Sequence, residues 1–300
     1  MTARYFTIGT TTWNDLQPYG SGFILAGMGG AIAQYDISDG GVTMVGGGSC
    51  AGHDFYGVSV RPVDQAVFLS TGTGSLVRWT GPMQCSGVNA LTTGIGTAIK
   101  AYDDAIFVGS FDSMSVNSAG VATVTRVRPD GGAPSSQQLS GAGQIWELSG
   151  PSPAFTFAAG WDHATQLRNR VWAYDSSNLS WSAVVASNNA NSQLYAIDVP
   201  TPTLGFAAGE AFFQWDGAVW TARPAPPFSV YGLKVFSATE VYAAGADSNG
   251  RAPLALWNGN VWALMNAAMR PLGTINRLRG TSRCGLLGVG SGGKAVTTLP

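Results

Sequence analysis

A degenerate unit of about 44 residues recurs along the whole chain, and this repetition constrains the fold more strongly than any other feature. The clearest copies occupy residues 194–224 and 230–266. Each copy is a series of short apolar strands that cannot bury its apolar face alone, so neighbouring copies must pack against one another. A period of this size is typical of a β-propeller, in which each repeat forms one blade.

Every copy begins with a short apolar and aromatic segment that would form the innermost strand of a blade. These segments lie at 13–16, 55–58, around Ile99, and at 145–148, 194–197, 230–233 and 275–278. Seven such segments predict seven blades. Six blades is the alternative, because the third copy, near 97–130, is the least regular.

The second and third strands of the unit carry their own signatures. The second strand ends in a small residue and Gly, as at Ala208-Gly209, which would let neighbouring blades approach closely. The third ends in an aromatic residue followed by a turn dipeptide such as Asp216-Gly217, which favours a tight hairpin. The sequence therefore predicts an all-β chain of four-stranded antiparallel blades with almost no helix.

The two ends of the chain complete the count of strands. The last copy, at 275–300, has room for three strands, whereas residues 3–8 show a strand pattern without a blade of its own. We expect the N-terminal strand to complete the last blade, because this closure would remove exposed sheet edges. The prediction is one β-propeller domain over residues 1–300.

The amino-acid composition argues against several classes of partner. Charged residues make up 11% of the chain, with 16 Lys and Arg against 17 Asp and Glu. A concentrated basic face is therefore not expected, which argues against nucleic acid and against an anionic membrane. No apolar run approaches the ~20 residues of a membrane helix, so we predict no direct membrane insertion.

Composition also bears on location. Only three of the basic residues are lysines, whereas Ser, Thr, Asn and Gly abound, a balance more common in exported or virion proteins than in cytosolic enzymes. The first residues lack the basic and apolar regions of a secretory signal. We expect an extracellular, cell-surface or particle-surface location, reached after removal of a signal or by another route.

The repeats resemble those of known propellers. The copies at 194–224 and 230–266 are similar to the Trp- and Gly-rich propeller repeats of bacterial secreted and surface proteins, with an apolar strand, A-x-G, an aromatic-D/N-G turn and a later Trp. The copy at 157–184 resembles a kelch repeat, whose pattern pairs a Gly doublet with a later Tyr-Asp and Trp; Ala-Gly stands here in place of the Gly doublet. The resemblance implies a propeller, a fold that serves enzymes, lectins and scaffolds alike.

The three cysteines suggest one cross-link. Cys50 and Cys85 follow the outer strands of the first and second copies, so a disulfide between adjacent blades is as plausible as two unrelated thiols. Cys284 falls in an apolar segment and is expected to be a small buried core residue. Spacings typical of metal sites, such as C-x-x-C, are absent from the sequence.

No catalytic or cofactor motif stands out. The nucleophile elbow, the P-loop, the H-E-x-x-H zinc motif and the EF-hand loop are all absent from the sequence, so we predict no cofactor, no metal and no assigned catalytic residue. His53 is beside Asp54, and His163 is beside Asp162, and loop hydrogen bonding is the simpler interpretation of both pairs. The segment 290–293 reads as a hairpin turn.

Charged residues occur in the innermost strands, where a propeller has its central channel. Asp15, Glu147 and Arg277 occupy matched positions, and Lys100 lies near the equivalent point of the irregular copy. Channel lining is favoured, because charges at a blade interface are costly without partners. These charged residues either fill the channel as a layer of mixed charge bridged by water, or they bind an ion or a small polar ligand.

Aromatic residues suggest a site for sugars. Trp161, Asp162 and His163 follow Ala159-Gly160, and Trp161 is not part of the repeated pattern, so these three residues form a candidate ligand-binding, lectin-like site. The recurring tryptophans are instead interpreted as structural. They are Trp79, Trp215 and Trp257.

Two functional hypotheses follow. The favoured one is a non-enzymatic binding or assembly module, exported or on a surface, that recognises a protein or a glycan through its blade-connecting loops. The alternative is a hydrolase or lyase that acts on a polysaccharide through Asp15, Glu147 and their neighbours at the central channel.

Overall fold

The computed structural model confirms the predicted fold, a seven-bladed β-propeller of four-stranded antiparallel sheets. It describes residues 3–90, 94–111, 122–129, 132–139, 142–162, 168–186, 193–265 and 270–298. The helical segments among these residues are three 3₁₀ turns, at Met28–Gly30, Gly48–Cys50 and Ser291–Gly293. The last of them lies in the connection that was predicted to be a hairpin turn.

The blades follow one another along the chain, and each runs from its innermost strand to its outermost. Blade 1 contains β2 (Trp13–Tyr19), β3 (Gly22–Gly27), β4 (Ile32–Asp36) and β5 (Val42–Met44). Blade 2 contains β6 (Phe55–Val60), β7 (Val67–Thr71), β8 (Ser75–Gly81) and β9 (Gln84–Ala90). Blade 3 contains β10 (Ile95–Ala101), β11 (Ile106–Phe111), β12 (Thr123–Val127) and β13 (Ser135–Gln138). The irregular third copy thus forms a complete blade, and the six-bladed alternative is wrong.

Blades 4 to 6 have the same order. Blade 4 contains β14 (Ala142–Ser152), β15 (Phe155–Asp162), β16 (Arg168–Asp175) and β17 (Ser180–Ala186). Blade 5 contains β18 (Leu194–Thr201), β19 (Leu204–Gly209), β20 (Phe212–Trp215) and β21 (Trp220–Arg223). Blade 6 contains β22 (Ser229–Ser237), β23 (Glu240–Ala246), β24 (Leu254–Trp257) and β25 (Trp262–Met265).

Blade 7 joins the two ends of the chain, as predicted. It contains β26 (Ile275–Gly280), β27 (Leu286–Gly290), β28 (Lys294–Thr297) and, outermost, β1 (Arg4–Thr7). β1 pairs with β28 in antiparallel register, with Tyr5 opposite Val296. The pairing covers the edge of β28 that would otherwise present free N–H and C=O groups.

The innermost strands form a closed ring around the central channel. Each of β2, β6, β10, β14, β18 and β22 contacts the next in this series, and β26 contacts β2. The apolar core lies between neighbouring blades and contains packed aromatic rings; Phe212, for example, packs edge to face on Trp257 with ring centroids 5.6 Å apart. Trp79, Trp215 and Trp257 are buried, as their structural interpretation predicted.

The cysteines differ in their surroundings. Cys50 and Cys85 form a disulfide that joins the connection after blade 1 to β9 of blade 2, with Cα atoms 5.0 Å apart. The expectation for Cys284 was wrong: this thiol is exposed and free. β27 begins only at Leu286, so Cys284 lies in the turn before the strand rather than within it. Among the described residues, no helix has the length and apolar character needed to cross a membrane.

Candidate binding site at the channel mouth

A β-bulge interrupts the innermost strand of every blade. In β18, for example, Leu194 pairs with Gly209 and Ala196 with Ala208, so Tyr195 has no opposite residue in β19. A bulge redirects the side chain of its extra residue. The extra residues of the seven blades are Asn14, Tyr56, Thr97, Trp146, Tyr195, Tyr231 and Asn276.

These seven bulge residues converge on one cavity at one mouth of the channel. The cavity has a volume of about 270 Å³, and besides the bulge residues it is lined by Thr274 and Arg277. We call this cavity the cup. Since the bulge recurs at one level of each innermost strand, the cup follows from the repeat itself rather than from an isolated loop.

Aromatic rings form one wall of the cup. The ring centroids of Trp146 and Tyr195 are 5.5 Å apart, and those of Tyr195 and Tyr231 are 4.8 Å apart. All three side chains are half-buried, so each keeps part of its ring open to a ligand. Such surfaces take up apolar or flat groups, because burial of aromatic area is favourable and stacking adds to it.

The polar bulge residues mostly bond the blades to one another. The Nδ2 group of Asn14 donates to the carbonyl oxygen of Phe55 at 2.8 Å, and that of Asn276 donates to Trp13 at 3.0 Å. Thr97 Oγ1 donates across the blade interface to the carbonyl oxygen of Ile145. These donors are therefore occupied, and the aromatic rings remain as the main surface offered to a ligand.

The tyrosine hydroxyls add polar groups to this surface. Within the described part of the chain, the hydroxyls of Tyr56 and Tyr195 form no hydrogen bond. Burial raises the pKa of Tyr195, and the charge of Glu210 and the neighbouring Tyr231 raise it further. The pKa of Tyr231 is raised by burial and then by Glu210. The hydroxyls of Tyr195 and Tyr231 thus stay protonated near neutral pH and can donate hydrogen bonds to a ligand.

Arg277 forms the floor of the cup. Its Nη1 group donates to the carbonyl oxygens of Tyr231 at 3.1 Å and Asn276 at 3.0 Å, and its Nη2 group donates to Trp146 at 2.6 Å. The guanidinium group thereby extends from blade 7 across the channel to blade 4. This bridge separates the cup from the rest of the channel.

Residues one and three positions after each bulge residue form two further levels of the channel. We call them the middle layer and the far layer. The middle layer contains Asp15, Gly57, Ala98, Glu147, Ala196, Gly232 and Arg277. The far layer contains Gln17, Ser59, Lys100, Ser149, Asp198, Lys234 and Arg279.

The structure places the predicted channel residues in these two layers. Asp15, Glu147 and Arg277 share the middle layer. Lys100 does not share it: the bulge at Thr97 aligns Ala98 with them, and Lys100 lies in the far layer.

The two buried carboxylates of the middle layer are fully engaged. Asp15 Oδ2 accepts the N–H of Val58 at 3.0 Å, and Glu147 Oε2 accepts the N–H of Ile197 at 2.9 Å, each in the next blade. Arg279 forms an ion pair with Glu147 and lies 3.5 Å from Asp15. Burial alone would lower the pKa of Arg279, but the carboxylates of Glu147 and Asp15, together with Asp198, raise it overall.

The other predicted sites are placed as follows. Trp161 is half-buried in β15, opposite Gln144, near the end of blade 4 where the cup opens, but it does not line the cup. Asp162 ends β15 and its side chain lies outside the described residues, as does all of His163. Asp54 Oδ1 accepts the N–H of Gly29 at 2.8 Å, in agreement with loop hydrogen bonding for the first His-Asp pair.

Sequence reasoning missed the cup. The signal was present in the aligned innermost segments, whose second residue is aromatic in blades 2, 4, 5 and 6. It was interpreted as part of the apolar pattern of the strand, because a bulge is a property of two paired strands and does not show in one of them.

The structure also adds three charged channel residues: Asp198, Lys234 and Arg279. Among the described residues, no cluster of three or more His, Cys, Asp or Glu could bind a metal ion.

Comparisons with known proteins identify the fold and no family. No protein-family model and no curated protein sequence matches the chain. Among solved structures, YCF48 bound to a D1 peptide is similar with a TM-score of 0.73 and 12% identity, over 100% of this chain and 97% of that one. The WD40 propeller domain of Doa1 gives 0.73 and 12%, over 98% and 95%. YCF48 from Cyanidioschyzon merolae gives 0.70 and 12%, over 99% and 98%.

At this level of identity the similarity shows the propeller fold alone. The resemblance to bacterial Trp- and Gly-rich propellers and to kelch repeats stays a prediction, since the similar structures named above are a WD40 propeller and two structures of YCF48.

Proposed function

We propose that this chain is a non-enzymatic binding module that recognises a protein partner by taking one bulky apolar or aromatic side chain of an exposed segment into the cup. The convergence of the seven bulge residues on one cavity carries this proposal. A concave, largely apolar cavity with a few polar groups is the usual form of a ligand site.

The chemistry of the cup favours a side chain of this kind. Stacking against Trp146, Tyr195 and Tyr231 would release water from both surfaces, and a large aromatic group gains most from it. The amides of Asn14 and Asn276 are used between blades, so binding an apolar group there leaves few polar atoms without partners. The free hydroxyls of Tyr56 and Tyr195 can orient the partner's backbone.

The comparisons support the same class of function. A seven-bladed propeller fits a protein-binding or assembly module, and one of the similar structures is described as bound to a peptide.

The proposal includes kinship with bacterial secreted and surface propellers. It therefore also includes an exported or surface location. Two observations support this location: the Cys50–Cys85 disulfide, of a kind that persists in oxidising compartments, and the low lysine content.

Recognition of a glycan is the other form of the binding hypothesis, and sugars also stack on exposed aromatic rings. A protein partner is favoured because the cup accepts one compact group, whereas the lectin-like site depended on Trp161, which lies outside it.

The polysaccharide-acting alternative depends on Asp15 and Glu147. Both carboxylates bond to backbone N–H groups and lie close to Arg279, an arrangement suited to holding blades together.

The test is selection of binders from a random peptide library on the immobilised protein, with counter-selection on Tyr195→Ala. We expect the selected peptides to share an aromatic or large aliphatic residue. Trp161→Ala is the matched control, since it removes a half-buried aromatic ring at the same end of blade 4 but outside the cup. It should retain the selected peptides.

Two results would contradict the proposal. Peptides that bind wild type and Tyr195→Ala equally would place recognition outside the cup. A library without binders, together with a glycan-array hit that disappears in Trp161→Ala, would favour the lectin-like site instead.

A further inference from the structure

A second cavity lies in the channel at the level of the far layer, beyond the Arg277 bridge. Its volume is about 110 Å³. The charged residues that line it are Lys100, Glu147, Asp198, Lys234 and Arg279. Because the far layer is three residues along each innermost strand from the bulge, this cavity and the cup occupy different levels of the channel.

Both carboxylates of this cavity already have partners. Asp198 Oδ2 accepts the N–H of Val235 at 2.8 Å and lies 3.1 Å from Lys234 Nζ. Glu147 is paired with Arg279 and with the N–H of Ile197. The two acids therefore account for two of the three cations that line the cavity.

Lys100 is the third cation, and no carboxylate is paired with it. Within the described part of the chain, its ammonium group forms no hydrogen bond and no ion pair, and it lies over the Tyr102 ring, 5.6 Å from the centroid. Burial lowers the pKa of Lys100, with Arg279 and Lys234 lowering it further and Asp198 and Glu147 opposing them. Burial and the two neighbouring cations thus outweigh the two carboxylates at this ammonium group.

The choice of residue at this position adds to the argument. The chain has three lysines in 300 residues, and two of them, Lys100 and Lys234, line this cavity. A partly buried ammonium group without a counter-charge is unfavourable, because it has lost part of its hydration. Its presence beside two further cations is explained if a negatively charged ligand completes the site.

We propose that the far-layer cavity binds a compact oxyanion, a carboxylate or a phosphate, between Lys100, Lys234 and Arg279. The ammonium groups would supply charge and freely oriented donors, and the guanidinium group would supply a planar donor pair. This site does not depend on the cup or on the protein partner proposed for it.

The experiment is isothermal titration of the whole protein with sodium phosphate and, separately, with sodium acetate, at fixed ionic strength in sodium chloride. We expect one of the two anions to bind wild type with one-to-one stoichiometry, and its identity distinguishes phosphate from carboxylate. In Lys100→Met the dissociation constant should rise about tenfold or more, since charge-assisted contacts are lost.

Lys294→Met is the matched control. Lys294 is the remaining lysine of the chain, is half-buried in β28 and lines neither cavity, so its removal should leave the dissociation constant unchanged. Lys100→Met should also fold, because replacing an unpaired, partly buried charge by an apolar group of similar length does not destabilise the native state. Circular dichroism verifies this.

The proposal is overturned if neither anion binds wild type, or if binding is the same in Lys100→Met and in wild type. Equal loss in Lys294→Met and Lys100→Met would also overturn it, because the effect would then reflect net charge rather than the cavity.

Discussion

Single carboxylates hold backbone N–H groups in place throughout this molecule. In the channel, Asp15, Glu147 and Asp198 each accept an N–H from the next blade. At the turn after β20, Asp216 accepts the N–H groups of Val219 and Ala218, which lower its pKa. Protonation of Asp216 in acid therefore weakens its hydrogen bonds to the native backbone.

Asp64 offers a direct test at the scale of one residue. The hydrogen bond from Arg61 is the main cause that lowers its pKa from 3.8 to about 2; burial opposes this shift, and the N–H of Ala66 adds to it. Between these values the unfolded chain binds more protons at this group than the native protein does. The contribution of Asp64 to stability is therefore complete above about pH 4 and is lost as the pH falls towards 2.

We expect the Asp64 carboxyl to titrate near 2 by NMR, and the stability of Asp64→Asn to fall less steeply with acid than that of wild type. Titration near the ordinary value, with parallel stability curves for the two proteins, would contradict the assigned Arg61–Asp64 interaction.

The innermost strands show what could be predicted at the scale of the element. The apolar pattern located all seven strands, and the matched charges of Asp15, Glu147 and Arg277 indicated the channel. The bulges were not predicted, because the pattern within one strand does not give its register against another. For the same reason the sequence placed Lys100 only near the level of the other charged residues, and the aromatic bulge residues were not recognised as a site.

Close approach between blades can be tested at Gly232. A Cβ atom at this position would lie 2.6 Å from the backbone nitrogen of Leu278 in the next blade, a contact that backbone cannot relieve easily. We expect Gly232→Ala to lower the free energy of unfolding by about 1–3 kcal/mol, measured by urea denaturation, because blades 6 and 7 must move apart.

Gly87→Ala is the control for this substitution. Gly87 lies exposed in β9, and a Cβ atom there would meet nothing within 4 Å. Its stability should match that of wild type or exceed it slightly, since alanine restricts the unfolded chain. A similar loss in both variants would show that the blade contact at Gly232 is not the cause.

At the scale of the whole molecule, the repeat period predicted the architecture and the strand count predicted how it closes. Both predictions rest on short sequence patterns, which are recognisable because each of them recurs in several copies of the repeat. The ligand could not be predicted in the same way, because a propeller serves many functions and its sites depend on which side chains the closed ring brings together. Trp146 and Tyr231 lie 85 residues apart in sequence and line one cavity only because blades 4 to 6 are neighbours.

Closure of the ring by β1 gives a test at this scale. Deleting residues 1–7 would expose the edge of β28 over Lys294–Thr297. We expect a lower midpoint of thermal unfolding and concentration-dependent association, detected by light scattering. A synthetic peptide of residues 3–9 should restore both properties, whereas the same peptide with Phe6→Pro should not, because proline cannot donate to the ladder.

A truncated protein that matches wild type in both measurements would contradict the role assigned to β1. So would equal rescue by the two peptides, since the proline peptide cannot reproduce the pairing with β28.

The cup is the central claim, and calorimetric titration of a library-selected peptide into wild type, Tyr195→Ala and Trp161→Ala tests it most directly. Tyr195→Ala should raise the dissociation constant about tenfold or more, because aromatic residues at the centre of an interface contribute most of the binding energy. Trp161→Ala should bind as wild type does, and all three proteins should unfold at similar temperatures. Unchanged binding by Tyr195→Ala, or a larger loss in Trp161→Ala, would contradict the assignment of the cup as the binding site.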